Sequence, residues 1–175
     1  MKTKTIKLYE YSELSPEAKA KALSHWAETE DISYAVQVSL DNLISELLQA
    51  NGITPAESTT YAKIYWSLSH SQGDGAMFEG TFDWGKYRVY IKQSGRYYHS
   101  NSATIEIQEA DNLGFHMDDE HADVIAFDVI YQKICKELER AGYEAIEWEL
   151  SETAFVDACN SNEWTFRENG KIENA

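Results

Sequence analysis

Near Tyr61 the apolar residues of this chain stop recurring every third or fourth position and begin to alternate, and helical spacing returns only beyond Asp118. The first spacing belongs to a helix with one buried stripe, the second to a strand with one buried face. The chain is thus committed to a block of strands between helices. From Tyr61 to Ser69, Ala62, Ile64, Trp66 and Leu68 face one way, and Lys63, Tyr65, Ser67 and Ser69 the other. Further strands are expected at Met77 to Trp84, Tyr87 to Gln93 and Ala103 to Glu109, with turns at Gly73-Asp74-Gly75, Gly85-Lys86 and Ser94-Gly95. They read as an antiparallel meander.

Before this block, a short strand is expected from Ile6 to Tyr11. Ser15 is placed to cap a helix that opens on Pro16 and runs to about Trp26. Val36, Leu40, Leu43, Ile44 and Leu47 predict a second helix, ended by a left-handed Gly52. After it, Val124, Phe127, Tyr131, Ile134 and Leu138 predict a long helix stopping near Gly142. Ser151 can cap a short helix through Ala154, Phe155 and Ala158, and Asn169-Gly170 marks a small terminal hairpin. The expected fold is α+β, an antiparallel sheet of four or more strands with helices packed on one face, in a single domain spanning 1–175.

Charge narrows the function. The 175 residues hold 15 Lys plus Arg and 30 Asp plus Glu, a net charge of −15. Residues 1–110 carry 10 basic and 14 acidic side chains, whereas 111–175 carry 5 and 16, so the C-terminal third makes most of the field. Phosphate binding depends on Lys and Arg, so direct binding of nucleic acid is disfavoured. No stretch of 18 apolar residues occurs, and the opening MKTKTIKLYEYSE lacks the apolar core of a signal peptide; a cytoplasmic protein without a membrane partner is expected. Cys135 and Cys159 form neither a disulfide framework nor a zinc ligand set.

Three clusters could carry chemistry. His116, His121 and the carboxylates around them could bind a metal or move protons, but five-residue spacing is poor for one helix face and no third ligand is identifiable; acidic residues starting a helix are the simpler reading. The run from Ser67 to Gly75, with Ser69, His70, Ser71, Gln72, Gly73 and Asp74, invites a hydrolase reading without its G-x-S-x-G elbow, and no lysine follows the glycines to make a phosphate cradle. A turn with positive-φ glycines is expected there, with Asp74 bonding its own backbone. Lys63, Tyr65, Arg88, Tyr90 and Lys92 share the outer sheet face, which suits protein recognition or ordinary cross-strand pairing, since Glu79, Asp83 and Glu106 lie among them. No metal or other cofactor is expected.

Two motifs carry a resemblance. Tyr9-Glu-Tyr-Ser-Glu-Leu-Ser-Pro-Glu-Ala-Lys-Ala-Lys-Ala22 and Ser71-Gln-Gly-Asp-Gly-Ala-Met-Phe-Glu-Gly80 are similar to the "ELS-x-EAK-x-KA" start and "SQGDGA-x-F-x-G" box of a family of small phage and prophage proteins. The resemblance covers roughly the first half of the chain, with a looser match at its Glu-Trp-Thr-Phe-Arg-Glu-Asn-Gly ending. It implies origin in a mobile genetic element, brings no catalytic residues, and includes members loosely labelled antitoxin-like.

An acidic phage-type domain without a recognisable active site is expected to act by binding. The basic groove of a host defence nuclease is the target that the charge fits, as for an anti-CRISPR or antirestriction protein mimicking phosphates. Candidate contacts are Asp118, Asp119, Glu120, Asp123, Glu144, Glu147 and Glu149, with Tyr65, Tyr90 and the loop of Gln72, Gly73, Asp74 and Gly75 as the competing surface. The alternatives are a toxin-neutralising antitoxin and a small enzyme using His70 with Asp74, or His116 with His121.

Overall fold

The computed structural model describes residues 6–56, 61–109 and 121–173. It has an α+β fold with four helices, α1 (Pro16–Thr29), α2 (Ser33–Ala50), α3 (Ala122–Glu149) and α4 (Glu152–Ser161). The strands are β1 (Ile53–Pro55), β2 (Lys63–Ser67), β3 (Gly75–Trp84), β4 (Tyr87–Gln93) and β5 (Ala103–Glu109). The chain forms two compact units, one from the segments up to Tyr34 and from Ile146 onward, the other from Ala35 to Ala145.

The second unit holds the sheet, in which every pairing is antiparallel. Strands β3, β4 and β5 lie side by side in sequence order, and β1 and β2 pair with different stretches of β3. Alternation works as expected: Ile64, Phe78, Phe82, Val89, Ile91 and Ile107 are buried on one face. Helix α3 covers that face, its Phe127 ring edge-on to Trp84 and its Tyr131 ring against Phe78. Tyr131 also donates to the Phe78 carbonyl at 3.2 Å, which satisfies a hydroxyl that burial would otherwise leave without water. Helix α2 contributes Val36, Leu40, Ile44 and Leu48 to the same core and accepts the Trp66 indole N–H through Gln37 at 2.8 Å.

Gly52 ends α2 in the left-handed conformation (φ 68°), as its position predicts. Gly142 does not end α3, which runs on to Glu149. It is buried inside the helix, where a side chain would collide with Leu68, itself buried. The glycine leaves room for a neighbour; it does not supply a backbone bend.

The first unit is built around Leu14, Ala18, Ala22, Trp26, Phe155, Cys159 and Phe166. Ser15 accepts the Ala18 amide at 3.3 Å and Ser151 the Ala154 amide at 3.2 Å, so α1 and α4 start where their capping residues say. The expected strand from Ile6 to Tyr11 shrinks to a single bridge between Tyr9 and Phe166, followed by a 3-10 turn at Tyr11–Glu13. The terminal hairpin is an equally small bridge, Phe166 to Ile172, turned by Gly170 at φ 87°. Both cysteines are buried and free, and burial pushes their thiols up, Cys135 to about 12 and Cys159 to about 11.

Candidate functional site

The glycine box is a turn clamped by one carboxylate. Asp74 is the buried acidic side chain among the described residues. It accepts the Ser69 amide at 2.5 Å and hydroxyl at 3.0 Å, the Ser71 amide at 3.0 Å and hydroxyl at 2.8 Å, and the Tyr143 hydroxyl of α3 at 2.6 Å. Burial acts to raise its pKa. The bonds from Tyr143, from the Ser71 hydroxyl and from the two amides overturn that and hold the carboxyl well below the usual range. His70 does not bond Asp74; its ring stacks on Tyr143 with centroids 4.6 Å apart. A carboxylate already carrying five donors is a poor base, so the Ser-His-Asp arrangement that the sequence invites is not assembled.

The expected positive φ falls elsewhere in this loop. Among its residues His70 takes it (φ 58°), not Gly73 or Gly75. Gly75 is needed for closeness: a Cβ there would lie 2.8 Å from both the Tyr98 carbonyl oxygen and His99 Nδ1. At Gly73 it would meet only the Tyr97 ring, at 3.1 Å, and Tyr97 is 49% exposed and can move. Gly75→Val is therefore expected to cost about 1–3 kcal/mol by overpacking, and Gly73→Val distinctly less, read as melting temperatures of the two variants.

Asp74→Asn gives a second expected result with a defined sign. The native pKa is depressed, so the stabilisation from Asp74 is complete above the unfolded value of about 3.9 and is lost as the pH falls toward the native value. The gap in melting temperature between wild type and Asp74→Asn should be widest near neutral pH and close in acid. A gap that stays constant from neutral pH to well below the unfolded value would show that the ionised carboxylate is not what holds the loop.

The outer sheet face is knitted together. Tyr65 donates to Glu79 at 2.6 Å and stacks on Tyr98 at 5.5 Å, while the Lys63 ammonium lies 4.5 Å from its ring centre and 3.5 Å from Glu79. Arg88 bonds its cross-strand neighbour Asp83 at 2.9 Å, and Tyr90 sits half-buried between Thr81 and Glu106. These are the ordinary cross-strand pairs weighed from the sequence.

The acidic candidates differ among themselves. Asp118, Asp119, Glu120 and His116 lie outside the described residues. Asp123 accepts the Tyr87 hydroxyl at 2.6 Å, so it secures the start of α3 to β4. Glu144 pairs with Arg140 at 2.5 Å. Glu147 is exposed and Glu149 half-buried, and neither forms an ion pair among the described residues. Sequence reasoning missed Tyr143, whose bond to Asp74 spans 69 residues, and no local pattern signals it. Comparison of the chain with protein-family models, curated proteins and solved structures finds no match.

Proposed function

We propose that this protein is a phage-type inhibitor that binds a basic, nucleic-acid-binding defence complex in the cytosol of its host, its carboxylates standing in for phosphates in the manner of an anti-CRISPR or antirestriction protein. One observation supports this reading above the others. With 30 acidic and 15 basic side chains, Asp74 is the buried carboxylate among the described residues, so the surplus negative charge there faces solvent, where it acts on an approaching partner. Asp74 is saturated by its own loop and by Tyr143 of α3, which favours binding over catalysis at the glycine box. Among the described residues no helix is long and apolar enough to cross a membrane, and the partner is sought among proteins of the cytosol.

Affinity capture from the native host tests the reading. The expected catch is a nuclease complex whose DNA binding falls when this protein is present. A small toxic protein encoded by a neighbouring gene, neutralised on binding, would replace this reading with the antitoxin one.

A further inference from the structure

The described surface of this acidic protein holds one cavity whose chemistry runs the other way. It lies in the second unit, has a volume of about 580 Å³, and is lined by Lys133 and Lys136 of α3, by His99, Ser100 and Asn101 ahead of β5, and by Gln132. Three-residue spacing puts the two lysines on one helix face, with their Cβ atoms about 5–6 Å apart. Neither forms an ion pair with a carboxylate among the described residues. The floor is Ala76 and the buried Cys135. Two ammonium groups thus share a pocket within the usual size for a small ligand with the Ser100 hydroxyl, the Asn101 amide and the His99 imidazole, while the Gln132 amide already donates to Asp128 at 2.7 Å.

We propose that this cavity binds the phosphate group of a small phosphate ester. Lysine is a strong point-charge partner for phosphate, and neutral donors of the Ser and Asn type complete the shell of an anion with several acceptor oxygens. The net charge of −15 does not prevent it, because exposed charges farther than about 10 Å are largely screened at moderate salt. Glu139 lines the same cavity and Asp128 is bonded to its Gln132, and both carboxylates oppose the anion. The glycine box shapes the site from behind: Gly75 without a side chain lets His99 and the Tyr98 carbonyl close on the end of β3, beside Ala76. The inference is independent of the inhibitor reading and stands or falls without it.

The test is an amide NMR titration of the full chain with inorganic phosphate and with adenosine monophosphate, chloride serving as the control. Saturable shifts at 99–101 and 132–136 are expected, with adenosine monophosphate binding at least as tightly as phosphate. Lys133→Gln with Lys136→Gln should weaken binding by about tenfold or more, since each removes a charge-assisted bond, and should leave the melting temperature unchanged because both side chains are exposed. Glu139→Gln should tighten it. Absence of saturable shifts at about 10 mM ligand, enough to nearly saturate a site with a Kd of about 1 mM, or equal affinity in the double variant would overturn the proposal. Binding of phosphate with exclusion of adenosine monophosphate would overturn the ester.

Discussion

Gly170→Ala is expected to cause the largest loss of stability of the changes considered, roughly 2–5 kcal/mol, made of about 1–2 kcal/mol for forcing an L-residue into the left-handed region and about 1–3 kcal/mol for overpacking. Gly170 turns the terminal hairpin at φ 87°, and its missing Cβ is where the Ala18 carbonyl oxygen of α1 comes close. The obstacle is backbone, not a side-chain tip, so nothing swings aside. Ala18 and Phe166 belong to the same small core, and displacing the hairpin pulls on both. At about 2–4 °C per kcal/mol for a chain of this size, the melting temperature should fall by about 10 °C. Gly85→Ala is the control: its φ is 59° but nothing lies within 4 Å of the new Cβ, so it carries the backbone cost alone. Equal losses in the two variants would show that the Ala18 contact is slack.

Reversing Glu147, a candidate contact, together with Asp157, an exposed carboxylate of α4, to lysine should have the largest effect on partner binding. Both are exposed, and neither forms an ion pair among the described residues, so the change should alter the field while leaving stability within about 0.5 kcal/mol. Asp123, a candidate on the same footing in the sequence, is a worse choice because it holds the Tyr87 hydroxyl and its loss would disturb the fold. Steering acts on encounter, so the association rate at low salt should drop by about tenfold, with the gap closing as salt shortens the screening length. Unchanged rates in this double variant, with binding lost in a Tyr65→Ala variant that remains folded, would point to shape recognition by the sheet face.

Much of the fold was legible because hydrophobic period is a local signal. Alternation buries Ala62, Ile64 and Leu68 and leaves Trp66 half-buried on the same face, and the stripe from Val124 to Leu138 is satisfied by one buried face. Ser15 and Ser151 mark helix starts through bonds that reach only three residues. What escaped was set by distant partners or by lengths too short to show a period. Strand β1 has three residues. Gly142 looks like a helix terminator and is instead a gap for Leu68, 74 positions earlier. The glycines of the box suggested backbone freedom, but closeness to Tyr98 and His99 is what Gly75 supplies, and His70 carries the left-handed turn.

The same reasoning accounts for the motifs behind the phage resemblance. In the first, Leu14, Ala18 and Ala22 are core residues and Ser15 is a cap. In the second, Asp74 locks the turn and Phe78 is fully buried. Both serve folding: the first packs and caps α1, and the second closes the turn ahead of β3.

The most direct test of the account is competition between this protein and duplex DNA for the captured partner, followed by anisotropy of labelled DNA across a salt series. If carboxylates occupy the partner's phosphate sites, the two ligands must exclude one another, and the affinity of this protein must fall steeply as salt rises. A ternary complex holding both ligands, with each bound as tightly as alone and with affinity indifferent to salt, would contradict it.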